Sequence, residues 1–101
     1  MNRDLILYVK RGPIACAGCE AIREKMADAG LDFEERDVEH MGLDAVADKT
    51  IAEALHGYWW HNDHMPESTP VLISRLFREV WDADDLDGMD FGGTGNAVDL
   101  A

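Results

Sequence analysis

The sequence predicts a single α/β domain, a four-stranded mixed sheet with helices packed on it, in the order β-α-β-α-β-β-α. Three observations predict it. Leu5-Ile6-Leu7-Tyr8-Val9 is short, continuously apolar and β-prone, as in a strand covered on both faces. From Ala17 to Ala29 the period becomes helical, with Cys19, Ile22, Met26 and Ala29 on one stripe and Glu20, Arg23, Glu24 and Asp28 elsewhere. Late in the chain, Pro70 to Ser74 and Glu79 to Asp82 read as a hairpin around Arg75 to Arg78.

The remaining elements follow in order. Gly12 and Pro13 mark Lys10 to Ala15 as a loop, and Gly30 is placed to stop the first helix. Leu31 to Val38 reads as a strand, polar enough to lie at a sheet edge. Leu43 to His56 is expected as a second amphipathic helix, with Leu43, Val46, Ala47, Ile51, Ala54 and Leu55 inward and Gly57 as its stop. His56 would then lie at a helix end, where it suits the dipole. Tyr58 to Ser68 reads as an irregular, aromatic and His-rich insert, and Asp84 to Met89 as a short helix. The domain is expected over residues 1–89, with Gly92, Gly93 and Gly95 marking 90–101 as a flexible tail.

The length of 101 residues suits one domain with a modest core, and 47% apolar residues is ordinary for a globular chain. With no charged-then-apolar leader and no apolar run near bilayer length, the chain is expected to be soluble, cytoplasmic and independent of membranes. A net charge of −12 argues against a nucleic-acid partner, which needs a basic face. High solubility is the simplest meaning of that charge.

The chemistry concentrates at Cys16-Ala17-Gly18-Cys19, which holds both cysteines of the chain. A C-x-x-C between a strand and a helix is the layout of a thiol–disulfide redox site. At a helix start the unpaired backbone N–H groups and the dipole favour the thiolate, the reactive form. The second thiol lies one turn on and on the same face. As a structural staple the pair would close too small a loop to constrain the unfolded chain much. An inert buried pair and a zinc site are the rivals. For zinc, His61-Asn62-Asp63-His64 supplies an H-x-x-H that could complete a four-ligand set with the cysteines.

The order of elements, with Leu7-Tyr8-Val9-Lys10, Cys16-Ala17-Gly18-Cys19, Leu31 to Val38, Ser68-Thr69-Pro70-Val71 and Asp84-Asp85-Leu86, resembles the thioredoxin fold and, within it, the glutaredoxin family. The likeness covers about residues 4–86. It departs from the family in Ala17-Gly18 where Pro-Tyr is usual, and in longer connections after Lys10 and after Asp37. Trp81-Asp82 stands where Gly-Gly usually precedes the acidic pair. Long-loop variants of this kind are similar to the small phage-encoded thioredoxin/glutaredoxins that supply electrons to ribonucleotide reductase.

The resemblance implies a monomeric dithiol oxidoreductase in which Cys16 attacks and Cys19 resolves, with glutathione as co-substrate and no tightly bound cofactor. It implies a cis Thr69–Pro70 bond facing the cysteines. It also implies a glutathione site made of Lys10 on a carboxylate, the Thr69 backbone on the cysteinyl unit, and Asp84 or Asp85 on the γ-glutamyl amine. Arg11 could substitute for Lys10, and helix capping is the alternative role of Asp84 and Asp85. The insert Tyr58 to Met65 is expected to form part of the target-protein surface near the cysteines; the competing reading buries its aromatics under the second helix. Trp59, Trp60 and Trp81 suit core or sheet packing better than they suit partner contact. The rival function is a binding module that uses the cysteines as a zinc or iron–sulfur clamp.

Overall fold

A computed structural model of the chain describes residues 4–10, 17–66 and 68–89. The expected loop over residues 11–15, Cys16 and Arg11, and the expected tail over 90–101 lie outside the described residues. The architecture is mixed α/β. A four-stranded mixed sheet is built from β1 (Leu5–Val9), β2 (Phe33–Asp37), β3 (Val71–Ser74) and β4 (Glu79–Trp81) in the order β2-β1-β3-β4. β1 is parallel to β2 and antiparallel to β3, and β3 pairs antiparallel with β4. The helices are α1 (Ala17–Asp28), α2 (Met41–Ala47), α3 (Lys49–Asn62) and α4 (Ala83–Asp87), with a 3₁₀ turn at Val38–His40.

The unbroken apolar run of β1 has a simple cause: the strand is central and both faces are covered. Successive side chains of a strand point to opposite faces. Ile6 and Tyr8 pack with Ile51, Ala54, Leu55, Val71 and Ile73, the core beneath α3. Leu7 and Val9 pack with Cys19, Ile22, Met26, Leu72 and Leu86, the core beneath α1 and α4. Tyr8 is fully buried and its hydroxyl donates to Asp44 Oδ2 on α2 at 2.7 Å. Burial, then that carboxylate, push its ionisation well above the ordinary tyrosine range.

β2 is polar because it is an edge strand, and its charges tie it down. Arg23 of α1 grips Glu35 with Nε–Oε1 at 2.6 Å and Nη2–Oε2 at 3.2 Å. Arg36 pairs with Glu34 at 2.6 Å and with Asp44 at 3.1 Å, joining the strand to α2. Charged edges also discourage pairing with another chain.

α1 ends where expected. Gly30 has φ +73°, and Leu31 N–H bonds Met26 O while Gly30 N–H bonds Ala27 O, each at 3.0 Å. That is the Schellman pattern, for which glycine supplies the left-handed residue without a Cβ penalty.

The expected helix Leu43–His56 is instead two helices. Asp48 is extended (φ −125°, ψ 111°), and its carboxylate accepts from the Thr50 N–H at 2.9 Å and the Thr50 hydroxyl at 2.6 Å. A side chain that caps a new helix competes with continuing the old one. The break changes the phase, so Ile51, Ala54 and Leu55 are buried while Leu43, Val46 and Ala47 face solvent.

Gly57 does not stop the second helix either. α3 runs through the first half of the expected insert and closes at Asp63 (φ 61°), whose N–H bonds Trp59 O at 2.7 Å. A glycine inside a helix costs only about 1 kcal/mol. Burial of Tyr58 against the fold carries the helix past it. His56 is therefore mid-helix, stacked on Trp59 with ring centroids 6.3 Å apart, rather than a helix-end residue.

The hairpin forms as expected, pinned from the other end of the chain. Ser74 Oγ donates to Asp4 Oδ2 at 2.8 Å, Arg75 N–H bonds Asp4 O at 3.0 Å, and Leu76 N–H bonds the Asp4 carboxylate. No described helix is long and apolar enough to cross a membrane.

Candidate functional site

Register gathers Lys10, Thr69, Pro70 and the start of α4 at one end of the sheet. Tyr8 pairs with Val71, so Lys10 runs past the start of β3, alongside Thr69-Pro70. Val9 pairs with Asp37, and Leu72 with Trp81, which brings the ends of β1 and β2 and the start of α4 to that same end. Ligand sites of α/β sheets favour the carboxyl ends of parallel strands.

Cys19 is buried, 2% exposed, in the core under α1. No cysteine among the described residues is a free thiol. Cys16 lies outside the described residues, one residue before α1 begins. The first turn of α1 lies against the proline: a Cβ built on Gly18 would stand 3.4 Å from Pro70 Cδ. Pro70 is buried, Thr69 half-buried, and the bond between them is cis, as the resemblance implies.

A groove of ≈ 260 Å³ opens beside this contact, between α1 and α4. Gly18, Ile22 and Lys25 line one wall, and Asp84 and Asp87 the other, with Thr69 and Pro70 also in the lining. Lys25 and Asp87 were not among the residues the sequence pointed to. Helical spacing could have found both: Gly18, Ile22 and Lys25 fall on one α1 stripe, and Asp84 and Asp87 on one α4 face.

Asp84 and Asp85 part company. Asp82 is the N-cap of α4, its Oδ1 accepting from Asp85 N–H at 2.9 Å, while the Asp85 carboxylate reaches back to Asp82 N–H at 3.3 Å. Asp85 thus completes a reciprocal capping box. Asp84 is exposed, lines the groove and is in no ion pair among the described residues. Asp82 carries the local structure. Its Oδ2 accepts the Tyr58 hydroxyl at 2.7 Å, and that bond, with the Asp85 N–H, holds its carboxyl below the usual carboxylate range.

Asp84 also lines a second groove of ≈ 270 Å³ with Tyr58, His64, Ser68 and Asp82. His64 meets the Tyr58 ring edge-on at 5.8 Å, and its Nδ1 lies 2.8 Å from Met65 O. His61 lines a different groove, beside Phe77 and Arg78. The H-x-x-H is therefore split between two surfaces. Among the described residues no three His, Cys, Asp or Glu side chains converge to hold a metal ion.

The aromatics of the expected insert divide as well. Tyr58 is buried, whereas Trp59, Trp60 and Met65 are exposed, so neither of these tryptophans is core. Trp81 is half-buried against the core under α1. Lys10 is exposed at the end of β1. No family model, no curated protein and no solved structure matches the chain.

Proposed function

We propose that the chain is a dithiol–disulfide oxidoreductase of the glutaredoxin kind, on a thioredoxin-like arrangement of its α/β elements. The single observation that supports this best is the packing of Gly18, inside the C-x-x-C, against Pro70, with a groove beside the contact. A C-x-x-C whose Gly18 lines a groove at a helix start suits exchange with a disulfide carried on an extended chain or on glutathione.

The Cys16 thiolate attacks one sulfur of the target disulfide, forming a mixed disulfide and expelling the other target sulfur as a thiolate. The Cys19 thiolate then attacks Cys16 Sγ. The second target sulfur leaves as a thiolate, and the Cys16–Cys19 disulfide remains. Two electrons pass to the target, and two glutathione molecules restore them by forming one glutathione disulfide. Lys10 is suited to a glutathione carboxylate, the Thr69 backbone to the cysteinyl unit, and Asp84 to the γ-glutamyl amine. Asp85 is committed to the capping box and drops out of that set. Arg11 keeps its proposed role as an alternative to Lys10. A disulfide-bearing enzyme such as ribonucleotide reductase is the proposed class of protein target.

Reduction of a glutathione mixed disulfide tests the reading, run beside an assay coupled to thioredoxin reductase. Activity in the first alone assigns glutathione as the donor. Cys16→Ser should abolish turnover of disulfide substrates, and Cys19→Ser should accumulate the mixed disulfide because the resolving step is lost. A Cys16→Ser protein that still turns over sinks the proposal.

A further inference from the structure

We propose that the groove between α1 and α4 selects disulfides carried on a basic polypeptide segment. The inference rests on the oxidoreductase reading and names the charge of its substrate. The groove has small or apolar walls at Gly18, Ile22 and Pro70, and its charge is lopsided. Among the described residues of the lining, Lys25 is the one ammonium, against the carboxylates of Asp84 and Asp87. The adjoining groove shares Asp84 and adds Asp82, with no lysine or arginine among the described residues that line it.

Neither Asp84 nor Asp87 is in an ion pair among the described residues, so their charge is not neutralised by the fold. Asp82, though engaged by Tyr58, stays anionic to lower pH than an ordinary carboxyl. The chain as a whole carries −12, so its long-range field has the same sign as the groove. Complementary charge raises the rate of encounter and repels like-charged partners. An arginine beside the target disulfide also gains charge-assisted hydrogen bonds from a free carboxylate.

The test uses the full chain, reduced beforehand and mixed with a peptide that carries one internal disulfide. In a single turnover the protein's two thiols become a disulfide and the peptide's disulfide becomes two thiols, so no external reductant is needed. Three peptides differ only in the residues flanking the disulfide: lysine, glutamine or glutamate. At low salt the second-order rate constant should fall in that order, by roughly tenfold or more from lysine to glutamate. The spread should shrink at about 1 M salt, where the screening length is about 3 Å. Asp87→Lys should cut the lysine-to-glutamate ratio well below that of Asp28→Lys, a charge-matched change at the far end of α1. Equal rates for lysine and glutamate peptides, with the glutamine peptide reduced, overturn this proposal alone. So does an equal effect of Asp28→Lys and Asp87→Lys, which would assign the preference to net charge rather than to the groove. Failure to reduce any of the three peptides overturns the oxidoreductase reading and this one with it.

Discussion

The Tyr58 hydroxyl donates to Asp82 Oδ2 over 2.7 Å, so the last buried residue of α3 holds the residue that caps α4. The bond joins the two cores, since Tyr58 belongs to the α3 side of the sheet and α4 packs its Leu86 on the other. It also steadies the start of the helix that presents Asp84.

That bond makes stability pH-dependent. The Asp82 carboxyl is held below its ordinary range, first by Tyr58 and then by the Asp85 N–H. A depressed folded-state value gives stability that is complete above the unfolded carboxylate value of about 4, and is lost as pH falls through the folded value. Tyr58→Phe should therefore cost about 1–2 kcal/mol near neutral pH and less in the acid limb. Urea midpoints at both pH values check this; an equal loss at both contradicts it.

Asp48 is expected to matter more than an exposed-looking loop aspartate would suggest. It caps α3 through Thr50 and pairs with Arg75 Nη1 at 3.2 Å, and its carboxyl is also held low, chiefly by Thr50. Asp48→Ala should cost about 0.5–2 kcal/mol, the usual range for a lost cap. Asp48→Asn keeps an acceptor for the Thr50 N–H and should cost less. Thermal denaturation should rank native above Asn above Ala.

Trp60 is 72% exposed, so Trp60→Ala should change stability by no more than about 0.5 kcal/mol, as surface changes do. A loss of about 3–5 kcal/mol, the cost of truncating a buried aromatic, would place it in the core instead. Chemical denaturation separates the two outcomes.

Gly18 leaves room for a methyl group and little more on the side of Pro70. Gly18→Ala places its Cβ 3.4 Å from Pro70 Cδ, an ordinary contact, and should raise stability by up to about 0.5–1 kcal/mol while activity is kept. Gly18→Leu should fill the groove mouth and slow disulfide reduction by roughly tenfold or more, since small misplacements of reacting groups are costly. Equal rates for the two variants would show that substrates approach from elsewhere.

Much of this was legible in the residues alone. The apolar run of β1, the stripe of α1 with Gly30 as its stop, the polar edge strand and the late hairpin all follow from side-chain period and turn chemistry, which are local properties. The C-x-x-C and Thr69-Pro70 were visible as motifs, and the paired strands carry their ends to one edge of the sheet.

The helix break was not legible, because Asp48 is compatible with a continuing helix until its carboxylate meets Thr50 and Arg75. Gly57 read as a stop because propensity is local, whereas Tyr58 is held by burial and by Asp82, twenty-four residues away. By the same logic two neighbouring carboxylates, Asp84 and Asp85, were equivalent in sequence. Only the capping box, which turns one of them back onto Asp82 and leaves the other lining the groove, tells them apart. Local period and turn chemistry were enough for the four strands, the first and last helices and the two cysteines. The tertiary structure decided which charges are neutralised within the fold and which remain for a partner, because long-range contacts settle where a polar side chain finds its counterpart.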